Sequence, residues 1–151
     1  MESGDAALTS TSDCALLVRG EAEPGGEFLA RLIERFGGID RIEALMAQHG
    51  TQMNLPVIHT FTPNMYVREM FVPAGALLTT MIHRTEHPYV VSRGVAWVWT
   101  AESGVSRVEA GHLGVTPPGT RRLVYVEEPL VWATFHATNE TDVHKLESVL
   151  A

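Results

Sequence analysis

Histidine is the residue type in this chain best placed to do chemistry. Seven occur, and their placement says more than their number. His83 and His87 flank Arg84-Thr85-Glu86, and His136 ends a long apolar run that begins near Leu130. Two or three imidazoles together with the Glu86 carboxylate would suit one Zn²⁺, Fe²⁺, Mn²⁺ or Ni²⁺ ion, and residue type alone does not choose among them. His59 is a further candidate. The competing account is a polar pocket without metal, because histidines four apart are common and a half-buried one is usually just hydrogen-bonded. His49, His112 and His144 fall at element ends or on faces expected to be exposed, and read as surface residues.

The remaining chemistry-bearing residues are fewer. Arg68, Arg121 and Arg122 can grip an anion, since a guanidinium meets carboxylate or phosphate as a fixed fork. The plainer expectation makes Arg121 a solvated strand-end charge and pairs Arg122 with Glu127 or Glu128. Trp97, Trp99 and Trp132 read as core residues. Glu69 and Glu86 have the chemistry of a general acid and base, but no spacing ties them together. Phosphate-binding loops, a serine-histidine-acid order and a cysteine nucleophile are all missing. The single cysteine, Cys14, allows neither an intrachain disulfide nor a cysteine-based zinc site.

Bulk properties narrow the partners. The chain has 151 residues, 45% of them hydrophobic and 19% charged, as in an ordinary globular domain with a short appendage. Its net charge of −7 argues against a nucleic-acid surface, which needs clustered Lys and Arg. No stretch approaches the roughly 20 apolar residues that span a bilayer, so no membrane partner is expected. The N-terminal residues lack the basic start and apolar core of a secretion signal. A cytoplasmic protein is expected, in a host cytoplasm or later in a virion.

The elements that must position these residues follow from periodicity. Residues 1–26 read as a flexible tail with one ordered piece at Ala15-Leu16-Leu17-Val18. Residues 27–50 form a helical arm. Phe28, Leu29, Leu32, Ile33 and Phe36 lie on one helical face, Gly37-Gly38 ends that helix, and Asp40 caps a second carrying Ile42, Leu45 and Met46. These stripes cannot be buried on each other alone and need the rest of the chain or another subunit. Residues 56–138 alternate short β segments with turn formers. The strands expected are Val57–Phe61, Met65–Pro73, Ala76–His83, Pro88–Ser92, Val95–Thr100, Val105–Val108, His112–Thr116, Arg122–Val126 and Leu130–His136. So many short strands indicate an antiparallel barrel or sandwich. Residues 139–151 read as a final helix with Thr141 as cap.

Pro73-Ala74-Gly75 before the strand leading to His83, Gly94 seven residues after His87, and Pro117-Pro118-Gly119 further on resemble the cupin superfamily's two-motif order. That resemblance implies a small antiparallel β-barrel of the double-stranded β-helix or jelly-roll type. Aligned on these landmarks, Met81 stands at the first histidine position, His83 at the second, His87 at the glutamate and Arg122 at the last histidine. The frame is kept while the ligand set is altered. The segments Met65–Glu69, Ile82–His87, Pro117–Arg121 and Val131–Thr138 are similar to small cupin-like proteins of tailed bacteriophages and prophages, across roughly residues 40–151. If Glu127-Glu128-Pro129 is a hairpin turn setting Arg122 opposite Thr134, then Arg122, Trp132, Thr134 and His136 share one face. In the cupin pattern that face looks inward and lines a pocket with Arg68 and His59.

Two functions compete on this reading. One is a non-enzymatic module in a homo-oligomer or larger assembly, held through the helical arm, a phage particle being the assembly that the resemblance implies. The other is a metal-dependent enzyme or small-molecule sensor using His83, His87 and His136, with Glu86 as ligand or base.

Overall fold

The computed structural model describes residues 14–17, 25–49, 53–80 and 82–150. Its elements in chain order are β1 (Cys14–Leu17), α1 (Gly25–Phe36), α2 (Ile39–His49), β2 (Val57–Thr62), β3 (Met65–Val72), β4 (Ala76–Thr79), β5 (His87–Thr100), β6 (Gly104–Glu109), β7 (Leu113–Thr116), β8 (Leu123–His136) and α3 (Val143–Leu150). The architecture is mainly β and antiparallel throughout, with helices at both ends.

Two long strands, β5 and β8, organise everything else. They pair with each other from Tyr89↔Thr134 to Trp99↔Leu123. Around the first half of β5 and the second half of β8, β2, β3 and β7 complete one sheet in the order β2-β3-β8-β5-β7. Around their other halves, β1, β4 and β6 complete a second, in the order β1-β4-β8-β5-β6. The result is a sandwich folded from one continuous sheet. Among the described residues no pairing joins β7 to β2 or β6 to β1, so the expected barrel is not closed by hydrogen bonds.

Both long strands were expected as pairs of shorter ones. Ser92-Arg93-Gly94 and Glu127-Glu128-Pro129 are composed like turns, but they face each other across a shared bend. The register slips between Val91, Arg93, Val95 and Ala96, marking β-bulges. Gly94 has φ 92°, and a Cβ there would stand 2.1 Å from the Pro129 carbonyl oxygen. Pro129, which has no N–H to donate, sits at the bulge where a ladder bond is dispensable. The hairpin expected at Glu127–Pro129 is therefore absent, and Arg122 is not the partner of Thr134. Met70, Val72, Leu78, Tyr89, Val91, Val98, Val124, Val126, Leu130 and Trp132 fill the space between the halves.

The helices cover what the sheet leaves open. α1 and α2 lay Leu29, Ile42 and Met46 on Leu77 and Leu123, with Trp97, Trp99 and Tyr125 partly buried alongside. The arm's apolar stripes are thus engaged on the chain's own sheet. Helix α1 begins two residues earlier than expected, because Gly25 and Gly26 lie flat against Trp97 where a Cβ would clash. Within the expected tail, Cys14–Leu17 pairs with β4 as an edge strand, while residues 1–13 and 18–24 lie outside the described residues. α3 packs Leu146 and Leu150 on Tyr66. Its cap is Asp142, whose Oδ1 accepts from the His144 N–H at 2.9 Å, and not Thr141.

Adding one methyl group at the bend tests this organisation. Gly94→Ala is expected to cost on the order of 3 kcal/mol, from backbone strain and the Pro129 approach together. Urea unfolding checks this, and wild-type stability in the variant would show that the bend does not need that contact.

Candidate metal centre

Consecutive rungs of the first sheet carry the polar interior. In register, His59 lies beside Arg68, Arg68 beside Thr134, and Thr134 beside Tyr89. One rung further, Phe61 lies beside Tyr66 and Tyr66 beside His136, while His87 pairs with Thr116 across the sheet. Residues paired across a ladder point to the same face. These side chains therefore converge inside the sandwich although they come from five strands.

His83, His87 and His136 meet there, each offering a ring nitrogen within 4.8 Å of the others. Their ring centroids are 4.5 Å (His83–His87), 5.0 Å (His83–His136) and 4.5 Å (His87–His136) apart. His87 is the first residue of β5 and His136 the last of β8, both buried. His83 was expected on a strand, but β4 stops at Thr79 and His83 stands in the loop leading to β5. That loop is tied down on both sides: the Gly119 N–H donates to the His83 carbonyl at 3.0 Å, and the Arg84 N–H to the Leu150 carbonyl at 2.8 Å. The Arg84 guanidinium also donates to the Ser148 carbonyl. Helix α3 thereby holds one ligand's loop in place.

The hydrogen bonds favour ligation. His87 Nδ1 lies 3.2 Å from the Thr85 carbonyl, which can only accept, so Nδ1 carries the proton and Nε2 keeps its lone pair. His136 Nε2 lies 2.9 Å from the Thr134 hydroxyl. Its Nδ1 is buried with no hydrogen-bond partner. A buried ring nitrogen without a partner costs stability unless something occupies its lone pair. Burial disfavours the protonated form of His87 and His136. Burial lowers the His87 pKa, with the Arg122 charge adding to it against the Thr85 carbonyl. Burial, then the charges of His87, His83 and Arg68, push His136 down to about 3. Neutral imidazole is the form that binds metal. A tetrahedral zinc site places its nitrogens roughly 3.4 Å apart, so these rings need a modest contraction to meet one ion.

The other expected site residues are distributed as follows. Glu86 is exposed and outside the histidine cluster. His59 is one ring removed: its Nδ1 lies 2.7 Å from the Tyr66 hydroxyl, and Tyr66 stacks on His136 at 5.8 Å. Arg68 is half-buried on the inner face, its Nη1 4.0 Å from the Met70 sulfur. Arg122 pairs with neither Glu127 nor Glu128. It is buried, its guanidinium 4.8 Å from the Tyr89 ring centroid and 5.7 Å from that of Trp132. It thus meets Trp132 through the side chain's reach and not through the hairpin register. Arg121, its neighbour, points the other way and binds Asp40 and Glu43 of α2, where a solvated charge was expected. Met81 lies outside the described residues.

Tyr66, Tyr89, His112 and Thr116 were missed as pocket residues. Tyr66 and Tyr89 are two residues from Arg68 and His87, so strand alternation places them on the same face. His112 was expected at the surface, but its Nε2 lies 2.9 Å from the Tyr89 hydroxyl. Nothing local marks Thr116, which is buried through its pairing with His87.

No protein-family model matches the chain, and no curated protein matches it. Among solved structures it is similar to a cupin-like protein from Thermotoga maritima, with 20% identity over 60% of this chain and 71% of that one, at a TM-score of 0.47. It is similar also to an RmlC-like cupin-family protein with a double-stranded β-helix fold from Methanocaldococcus jannaschii, with 11% identity over 56% and 81% of the chains and a TM-score of 0.48. A third is an uncharacterised double-stranded β-helix protein from Klebsiella pneumoniae, with 18% identity over 58% and 78% and a TM-score of 0.47.

The neutrality of His136 has a measurable consequence. Folded, it titrates at about 3, against 6.5 for an unperturbed histidine. Between those values the unfolded chain binds a proton that the folded chain refuses, so acidification through this window favours unfolding. With chelator present, the Tm is expected to fall as pH drops from 6.5 towards 3. The decline should be shallower in His136→Phe, which has no such proton to bind. Parallel curves for the two proteins would contradict the assignment.

Proposed function

We propose that the inner chamber holds one divalent transition metal ion through His83, His87 and His136 and presents it to a small molecule. The observation that carries this is the convergence of three imidazoles, one with a buried nitrogen left unpartnered, at the meeting point of β5, β8 and the loop before β5. Zn²⁺, Fe²⁺, Mn²⁺ and Ni²⁺ all accept such a nitrogen set. A bound ion would supply Lewis acidity or activate water or dioxygen. Thr134 orients the His136 ring, the Thr85 carbonyl orients His87, and α3 fixes the His83 loop. Glu86, being exposed, is not assigned as a ligand.

A second reading, a non-enzymatic assembly module, draws support from a different surface. Leu113 and Val115 on β7 are 67% and 56% exposed, and β7 pairs only with β5 among the described strands. An open edge with exposed aliphatic residues is a template for pairing between chains. In this reading the contact of a homo-oligomer moves from the helical arm to β7, and the phage particle rests on the sequence resemblance alone.

Two measurements separate these readings. Elemental analysis after purification without chelator is expected to find about one equivalent of a transition metal, lost in His136→Phe and His83→Phe. Less than about a tenth of an equivalent, with no rise in Tm on adding any of the four ions, would remove the metal reading. For the assembly, light scattering should report a dimer or larger species that Leu113→Lys and Val115→Lys convert to monomer. A wild-type monomer at high concentration would exclude it.

A further inference from the structure

Arg122 poses a separate question. It is only 9% exposed, and the described contacts of its guanidinium are the Tyr89 phenol and the Tyr89 and Trp132 ring faces. A guanidinium has five N–H donors, and ring faces satisfy charge better than they satisfy donors. No ion pair to Arg122 exists among the described residues. The acidic side chains nearest in sequence lie elsewhere: Glu127 and Glu128 are exposed, with Glu127 accepting from Trp97 Nε1. Glu69 is on the opposite face of β3 from Arg68, and Glu86 is exposed. Arginine does not discharge at accessible pH, so a full positive charge is buried here without an anion. Such a charge is costly unless paired.

The surroundings say what the pairing anion should be. Tyr89 and Trp132 are stacked with centroids 4.6 Å apart and planes 4° from parallel, forming an apolar wall beside the guanidinium. Met70, Val91 and Leu130 belong to the packed apolar core beside these two rings. The Thr116 hydroxyl is buried without a partner on the rung of His87. One buried guanidinium matches one negative charge on a planar, two-oxygen group, and an apolar lining suits an apolar body.

We propose that the chamber binds a small organic monocarboxylate, its carboxylate forked on Arg122 and its body against Tyr89 and Trp132. This names the ligand class of the chamber read above as a metal pocket, and so rests on that chamber being a binding site. The histidine cluster lies next to the carboxylate seat, since His87 and Tyr89 are alternate residues of β5 on one face. A carboxylate held there reaches towards the three imidazoles, which makes Arg122 the residue that selects and orients the ligand.

The test uses the full chain and acetate and benzoate as probes, with acetamide and benzamide as neutral isosteres and inorganic phosphate as a competing anion. Calorimetry and thermal shift are run on metal-stripped and metal-loaded protein. At least one carboxylate is expected to bind saturably and raise the Tm, with its amide doing neither. Arg122→Met should weaken that binding roughly tenfold or more. It should leave the ligand-free Tm unchanged or higher, because it removes an uncompensated buried charge. A purely structural Arg122 predicts a lowered Tm in this variant. Its metal response should persist, while His136→Phe should lose the metal response and keep carboxylate binding to the stripped protein. Equal binding of acid and amide, carboxylate binding unchanged in Arg122→Met, or a response to phosphate alone would each overturn the proposal. None of those three results bears on whether the histidines hold an ion.

Discussion

The close approach of Gly94 to the Pro129 carbonyl is the constraint on which the rest of the molecule depends. A strand can belong to two packed sheets only if it bends, and two neighbouring strands can do so only if they bend together. Here the glycine has no side chain to hold the backbones apart, and the proline needs no hydrogen bond at the bulge. β5 and β8 therefore run side by side through both halves of the sandwich. Their pairing places His87 and Tyr89 next to Trp132, Thr134 and His136, so the same bend that makes the fold also makes the site.

The interior created this way is electrostatically opposite to the molecule as a whole. The chain carries a net charge of −7, yet Arg68 and Arg122 both face inward, and the described carboxylates do not. Burial, with nearby positive charge adding to it, depresses the pKa of His87 and His136, which keeps their nitrogens available as donors. A neutral nitrogen cluster next to a fixed cation is suited to a metal ion on one side and an anionic ligand on the other. Tyr66 follows the same logic in the opposite sense, burial pushing its hydroxyl up to about 12 despite Arg68 nearby, so it stays protonated beside His59.

The helices act as covers with different tasks. The arm buries the outer face of the second sheet and is pinned by Arg121 to Asp40 and Glu43, and by Thr79 to Glu43 at 2.5 Å. Its tightest contact needs Gly25 and Gly26, because a side chain there would strike Trp97. Helix α3 is smaller but closer to the chemistry. Through Tyr66 it supports the His136 ring, and through Arg84 it anchors the loop that carries His83. Neither cover reaches β7, whose aliphatic residues remain on the surface.

Alternating apolar residues, a helical stripe in 27–36 and regular turn formers were enough to identify an antiparallel β architecture with helices at each end. These are local signals, set by the period of side chains along a strand or helix, and they need no knowledge of neighbours. The identity of the histidines was legible too, because few residue types ligate metals. What local signals could not distinguish was a turn from a bend. Ser92-Arg93-Gly94 and Glu127-Glu128-Pro129 have turn composition, and only their meeting across the sheet turns them into one continuous feature. The same limit applied to Arg121 and Arg122, adjacent and chemically identical, which part to opposite sides of a strand end. One finds carboxylates on the arm and the other finds aromatic rings within. Residue types and their periods came from the chain alone. Which distant residues became neighbours, and so which charges were left uncompensated, was decided by the tertiary structure, because those energies exist only between segments brought together by folding.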